Sequence, residues 1–233
     1  MIIKGFTKTT LLDYPGHIAS TVFTGGCNFN CPFCHNKDLV MDYKDMETLP
    51  TEKVLSHIYK RRNMVKSICI SGGEPTLQKN LIHFLEEVKG YGVLVKLDTN
   101  GTHPEVIQEA YEKGLIDYVA MDIKNAKSKY PITCDQQVDM KQIQTSIDYI
   151  KCCGVDYEFR TTVVKELHTH EDMIQIGQWL AGSGRYFLQS YIKSDKQIGR
   201  GLHPHSVDTL KDFRVALEPY FKTVTIRGVD ADD

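Results

Sequence analysis

Ile18-Ala19-Ser20-Thr21-Val22-Phe23-Thr24-Gly25-Gly26-Cys27-Asn28-Phe29-Asn30-Cys31-Pro32-Phe33-Cys34-His35-Asn36 is the stretch on which the reading of this chain turns. Residues Ile18 to Phe23 are rich in β-branched and aromatic side chains and predict a strand. A glycine pair then allows a tight turn, and three closely spaced cysteines follow it. The C-terminal end of a strand is where barrel and open-sheet α/β enzymes place their chemistry.

Downstream, β-rich runs alternate with longer helical patterns, as βα units feeding a parallel sheet do. Strands are predicted at Lys66 to Ile70, Val93 to Leu97, Tyr118 to Met121, Asp156 to Val164, Arg185 to Ser190 and Lys222 to Ile226. Between them Thr51 to Arg62, Leu77 to Lys89, Pro104 to Lys113, Met140 to Cys152, Glu171 to Leu180 and His205 to Tyr220 read as helices with one apolar face. Thr51, Thr76 and Ser206 with Asp208 can cap, and Gly90, Gly114 and Gly154 stand where helices should stop. Parallel strands joined by right-handed crossovers predict an α/β fold, either a doubly wound sheet or a full or partial barrel.

No linker or repeat divides the chain, so 1–233 reads as a single domain. Residues 1–17 form an extended lead-in, with Tyr14-Pro15-Gly16 as a turn, and 229–233 a frayed tail. Asn125 to Asp139 is a polar interruption longer than most βα connections.

A formal charge of −2 and a pI near 6.5 lack the basic footprint that many phosphate contacts need, which argues against nucleic acid. No apolar run is long enough for a membrane helix, and no basic region followed by an apolar run opens the chain, so a cytoplasmic protein is expected. There an odd count of 7 cysteines implies reduced thiols used as ligands or core residues.

Three thiolates this close in sequence can face one inorganic cluster. The same letters admit other readings. Cys31-Pro32-Phe33-Cys34-His35 matches the C-x-x-C-H haem attachment pattern, but leaves Cys27 unexplained and lacks an export signal. A redox pair of Cys31 and Cys34 also ignores Cys27. Cys27, Cys31, Cys34 and His35 make an ordinary zinc set, as in a zinc-stabilised binding protein without catalysis.

The spacing Cys-x3-Cys-x2-Cys, with Phe33 before the third cysteine, resembles the signature of the radical S-adenosylmethionine (radical SAM) superfamily. The resemblance implies a partial (β/α)6 TIM-like barrel and a 4Fe-4S cluster held by Cys27, Cys31 and Cys34. One iron is left to bind the amino and carboxylate groups of S-adenosyl-L-methionine, with Phe33 near the adenine. Ser71-Gly72-Gly73-Glu74-Pro75 alone reads as a tight βα turn. After the cysteine motif it resembles the Gly-Gly-Glu-Pro element, whose backbone and Glu74 accept hydrogen bonds from the substrate ammonium.

Leu97-Asp98-Thr99-Asn100-Gly101 and Met121-Asp122-Ile123-Lys124 place acids at successive strand ends, where singly they read as helix caps. Together they resemble glycyl-radical-enzyme activases. In that pattern Asp98, Thr99 and Asn100 contact the nucleoside, Lys124 pairs with the methionine carboxylate, and Asp98 and Asp122 bind a monovalent cation. Arg160, in Glu158-Phe159-Arg160-Thr161-Thr162, resembles an arginine that touches the substrate.

The remaining candidates read as structural. Cys69 lies in an apolar strand, and Cys134, Cys152 and Cys153 lack ferredoxin-like spacing. His168, His170, His203 and His205 suit surface or capping roles, and Trp179 the core.

Within the superfamily, Thr10-Leu11-Leu12-Asp13-Tyr14-Pro15-Gly16, Val22 to Phe29 and Cys31 to Asn36 with Leu39 are most similar to activating proteins of anaerobic ribonucleoside-triphosphate reductase. His35-Asn36 is shared with pyruvate formate-lyase activating enzymes. The implied reaction is reductive cleavage of S-adenosylmethionine to methionine and a 5′-deoxyadenosyl radical, which removes a hydrogen from a backbone glycine of the partner. An external donor such as flavodoxin or ferredoxin supplies the electron. The small-molecule alternative, 7-carboxy-7-deazaguanine synthase, typically has an Asp-Thr pair after the last cysteine and an acidic Gly-rich element near the N-terminus. This chain has neither.

Overall fold

The first seventeen residues hold a strand that their composition hides. In a computed structural model, which describes residues 1–229, β1 (Ile3–Thr10) pairs antiparallel with β2 (Ala19–Thr24), Ile3 opposite Thr24 and Thr10 opposite Ala19. The expected lead-in is therefore an edge strand. Ile3 is buried while Thr7, Lys8 and Thr9 face solvent, so β1 shows little of the apolar content that marks an inner strand. Gly16, with φ +75°, completes the expected turn through a hydrogen bond from the His17 N–H to the Tyr14 carbonyl. The frayed tail expected over 229–233 lies, past Val229, outside the described residues.

The other strands are β3 (Ser67–Gly72), β4 (Leu94–Thr99), β5 (Tyr118–Asp122), β6 (Asp156–Val163), β7 (Ser183–Ser190) and β8 (Phe221–Arg227). The helices are α1 (Lys37–Val40), α2 (Thr51–Arg61), α3 (Leu81–Gly90), α4 (Pro104–Glu112), α5 (Tyr130–Cys134), α6 (Met140–Cys152), α7 (His170–Leu180) and α8 (Val207–Leu217). The chain forms two compact units.

The first unit comprises Met1–Asn28, Asp38–Ala120 and Lys141–Asp156. Its strands β1 to β4 neighbour one another in chain order; β2, β3 and β4 are parallel, with Ala19 opposite Ser67 and Ser67 opposite Leu94. Ile68, Ile70, Val95 and Leu97 are fully buried, as strands covered on both faces require. α3 packs on β4 through its buried stripe Leu81, Phe84, Leu85 and Val88. Burying each such side chain contributes about 1.5–3 kcal/mol.

The helix expected from Leu77 starts later. Pro75–Leu77 is a separate 3-10 turn, capped by the Glu74 side chain accepting from the Thr76 N–H, and Gln78 is extended. Thr51 is the first residue of α2 after Pro50, and no side chain caps that helix.

The second unit comprises Phe29–Lys37, Met121–Met140 and the chain from Tyr157 onward. β6, β7 and β8 are parallel neighbours, with Glu158 opposite Arg185 and Arg185 opposite Thr223. α7 and α8 pack together and bury Met173, Ile176, Leu180, Leu210, Phe213 and Leu217. Thr169 and Asp172 form a capping box at the start of α7, and Ser206 caps α8 by accepting from the Thr209 N–H. The polar interruption at Asn125 to Asp139 folds locally into a 3-10 turn, Lys127–Lys129, followed by α5.

Candidate functional site

In the first unit the ends of β2, β3 and β4 are laced together. Gly73 donates to the Thr24 carbonyl at 2.9 Å, and Glu74 donates to the Gly26 carbonyl at 2.8 Å. The approach is close enough that a Cβ on Gly73 would overlap the Gly26 carbonyl, and Gly72 at φ +116° has its own would-be Cβ against the Thr24 backbone. Glycine is required at both positions, as the Gly-Gly-Glu-Pro reading needs.

Glu74 is 1% exposed. Its Oε1 accepts from the Thr76 N–H at 3.1 Å, the Thr76 hydroxyl at 2.5 Å and the Thr99 hydroxyl at 2.8 Å, while Oε2 accepts from the Asn100 N–H at 2.7 Å. Burial pushes its carboxyl above the usual range, against the pull of those four donors. Asn100 continues the chain of contacts: its amide donates to Asn28 Oδ1 at 2.8 Å and lies 4.0 Å from Cys27 Sγ. Cys27 is half-buried. Asp98 accepts from the Ser71 hydroxyl at 2.9 Å and pairs with the Lys96 ammonium.

In the second unit Cys31 is buried, Phe33 is buried and Cys34 is half-buried. The loop is held by backbone hydrogen bonds from Asn30 to the Cys134 carbonyl, from Gly199 to the Pro32 carbonyl and from Cys34 to the Cys31 carbonyl. A hydrogen bond with the Cys134 side chain, aided by the Lys124 charge, brings the Cys31 thiol below its ordinary pKa despite burial. Burial pushes the Cys34 thiol up. Among the described residues no disulfide forms and all seven cysteines are thiols.

At the end of β5, Asp122 lies between two cations: Lys124 Nζ at 2.8 Å and Arg160 Nε at 2.5 Å. Burial alone would raise the Asp122 pKa, but Arg160 and Lys124 hold it well below the carboxylate range. Burial likewise opposes the Lys124 charge, and Asp122 overrides it, keeping the ammonium protonated. That ammonium stands 5.9 Å from the centre of the Phe33 ring.

His168, expected at the surface, is fully buried. Its Nε2–H donates to the Lys124 carbonyl at 2.8 Å, its Nδ1 accepts from the Val164 N–H at 3.1 Å, and its ring meets Phe33 edge-on at 6.4 Å. Burial lowers its pKa to about 4, so it works as a neutral bracket. His170 is exposed, His203 bonds the exposed Glu166, and His205 donates to the His168 carbonyl, as capping or surface roles require. Trp179 is half-buried rather than core, with Lys127 above its ring. Cys134, read from the sequence only as lacking ferredoxin-like spacing, stands against Cys31, and Lys96 is the residue near these sites that sequence reasoning passed over. Lys96 had one usable signal, a lysine two positions before Asp98 inside an apolar strand.

The sequence model of the family described as Radical SAM superfamily matches residues 21–180. A Methanocaldococcus jannaschii protein provisionally named a glycyl-radical enzyme activating enzyme is 33% identical over 98% of this chain and 97% of its own length. A solved domain of a pyruvate-formate lyase-activating enzyme from Bacteroides vulgatus has a TM-score of 0.57 at 20% identity, covering 69% of this chain and 98% of its own. Streptococcus suis SuiB has a TM-score of 0.68 at 16% identity over 88% of this chain and 47% of its own. At those identities the two structures speak to fold, and they bear out the α/β, partial-barrel class read from the sequence.

Proposed function

The chain belongs to the Radical SAM superfamily, and from that premise we propose that it activates a glycyl radical enzyme, with anaerobic ribonucleoside-triphosphate reductase as the partner. One observation carries the activase reading: likeness over 98% of the chain to a relative provisionally named for that activity. The choice of reductase rests on the similarity of Thr10 to Gly16, Val22 to Phe29 and Cys31 to Asn36 to reductase activators.

The donor set fits the cofactors. Cys27, Cys31 and Cys34 are thiols committed to no disulfide. In the proposed assignment the three thiolates hold a 4Fe-4S cluster with one iron open for S-adenosyl-L-methionine. When bound, the pair supplies reductive cleavage to methionine and a 5′-deoxyadenosyl radical.

The remaining tasks fall to the chain. The backbone at Gly72 and Gly73, together with Glu74, accepts hydrogen bonds from the substrate ammonium, and Glu74 also holds that backbone against Thr99 and Asn100. Asp98, Thr99 and Asn100 face the nucleoside, and Phe33 the adenine. Lys124, kept charged by Asp122, pairs with the methionine carboxylate, and Arg160 steadies Asp122 while reaching the substrate. A monovalent cation at Asp98 or Asp122 would have to share carboxylates that already carry ammonium or guanidinium partners. In this reading 1–233 acts as one radical SAM domain in the cytoplasm, reduced by a flavodoxin or ferredoxin, without nucleic acid or membrane. No helix among the described residues is long and apolar enough to cross a membrane.

The test is anaerobic reconstitution with iron and sulfide, reduction with S-adenosylmethionine, and assay of 5′-deoxyadenosine. Adding the reductase should then give a glycyl-radical signal by electron paramagnetic resonance. A signal on pyruvate formate-lyase alone would move the partner, and cleavage with no signal on either would point to a small-molecule substrate. Cys31→Ala should lose both bound iron and cleavage; retained activity would overturn the assignment.

A further inference from the structure

Lys96 is a lysine that the proposed reaction does not use, yet its side chain is only 3% exposed. Taking an ammonium out of water is strongly unfavourable unless a partner offsets it. The partner is Asp98, two residues along β4 and therefore on the same face of the strand. Across the sheet the register partner of Lys96 is Cys69, whose fully buried sulfur lies 3.7 Å from the ammonium. The other Asp98 oxygen accepts from Ser71, and the next two residues, Thr99 and Asn100, run directly to Glu74. A carboxylate that is 13% exposed at a strand end thus carries a cation tethered to the chain.

We propose that Lys96 is a positioning residue, a built-in counter-ion that fixes Asp98 and takes the place a solvent potassium or sodium ion would otherwise fill there. The charge balance is local and simple. With Lys96 present, Asp98 is neutralised whatever salt surrounds the protein. Without it, a largely buried carboxylate loses its tethered cation, and a small cation that prefers oxygen ligands would be drawn to it. The same arrangement at Asp122 uses two tethered cations, Lys124 and Arg160, in place of one.

The experiment has two arms, of which only the second rests on the proposed activity. In the first, the protein without cluster is melted in potassium, sodium or tetramethylammonium chloride at equal ionic strength. Wild type should melt at one temperature in all three. Lys96→Met should melt lower in tetramethylammonium and recover in potassium or sodium, and adding Asp98→Asn to it should abolish the recovery. In the second arm, wild-type cleavage of S-adenosylmethionine should be flat across the three salts. That of Lys96→Met should fall at least about tenfold in tetramethylammonium, because breaking a buried ion pair leaves its surviving charge uncompensated, and return with potassium.

A potassium-specific rise in wild-type melting or cleavage overturns the proposal, as does a Lys96→Met protein indifferent to the cation. The wild-type measurements need no variant, and Lys96→Gln, which keeps the length and a polar end, substitutes if the methionine variant does not fold. Absence of cleavage with the melting pattern intact would sink the activity and leave the counter-ion standing.

Discussion

In the first unit the strand ends are gathered by one carboxylate, Glu74, which accepts from two backbone N–H groups and two hydroxyls. In the second they are gathered by charge, with Asp122 between Lys124 and Arg160. The first arrangement fixes backbone and is almost wholly buried; the second fixes side chains and is partly exposed, with Asp122 at 28%. Neutral donors around a buried acceptor make a rigid scaffold that salt cannot reach. Ion pairs near the surface leave a charged group available to a ligand, at the expense of screening.

The largest expected effect tests the rigid side. Glu74→Ala orphans up to four donors, each costing about 1–3 kcal/mol when left unsatisfied, so a loss of about 4 kcal/mol or more is expected in urea denaturation of the protein without cluster. A loss below about 1 kcal/mol would break the comparison.

Next comes the second unit's dependence on pH. His168 has its pKa lowered from 6.5 to about 4 in the fold. Between those values the unfolded chain takes up a proton that the native protein refuses, so stability is complete above pH 6.5 and falls as pH drops toward 4. The expected loss is about 3 kcal/mol. His168→Gln should flatten that slope, and an unchanged slope would show that another group carries it.

A smaller effect is expected at the glycine contact. Gly73→Ala places a methyl against the Gly26 carbonyl and should cost about 2 kcal/mol of unfolding free energy, as overpacking does. Asp122→Asn removes a carboxylate shared by two cations that are each 15% exposed, and should cost about 2 kcal/mol at low ionic strength and less in concentrated sodium chloride. The Glu74→Ala loss should not shrink with salt. If both losses respond alike to salt, the two sites do not differ in kind.

Much of this was legible in the letters. β2 to β8 announce themselves as runs rich in apolar and β-branched residues, and their observed bounds differ from the expected ones by only a residue or two. The strand-end candidates Gly72, Gly73, Glu74, Asp98, Thr99, Asp122 and Lys124 sit where the βα reading puts them, at or just beyond the ends of β3 to β5, while Arg160 lies within β6. What stayed hidden has a common cause. Among the described residues β1 has one strand neighbour, β2, so its polar residues read as a lead-in, and the depth of His168 depends on Lys124, Val164 and Phe33, none of which its polar neighbours in sequence disclose. Lys96 looks like a solvated charge until its register with Cys69 and its pairing with Asp98 are known. Burial of a polar residue is set by partners distant in sequence, and no periodicity reports them.

Strand β1 also acts as a guard. Beyond the bridge from Ile3 to Leu49, no further strand lines its outer side among the described residues, and Lys8 with irregular pairing near Thr7 to Thr10 discourages a second molecule from docking there. Trimming the first ten residues would bare Ala19-Ser20-Thr21-Val22-Phe23-Thr24, an uncharged template for intermolecular pairing. Preparations shortened at the amino end should therefore clump rather than merely soften.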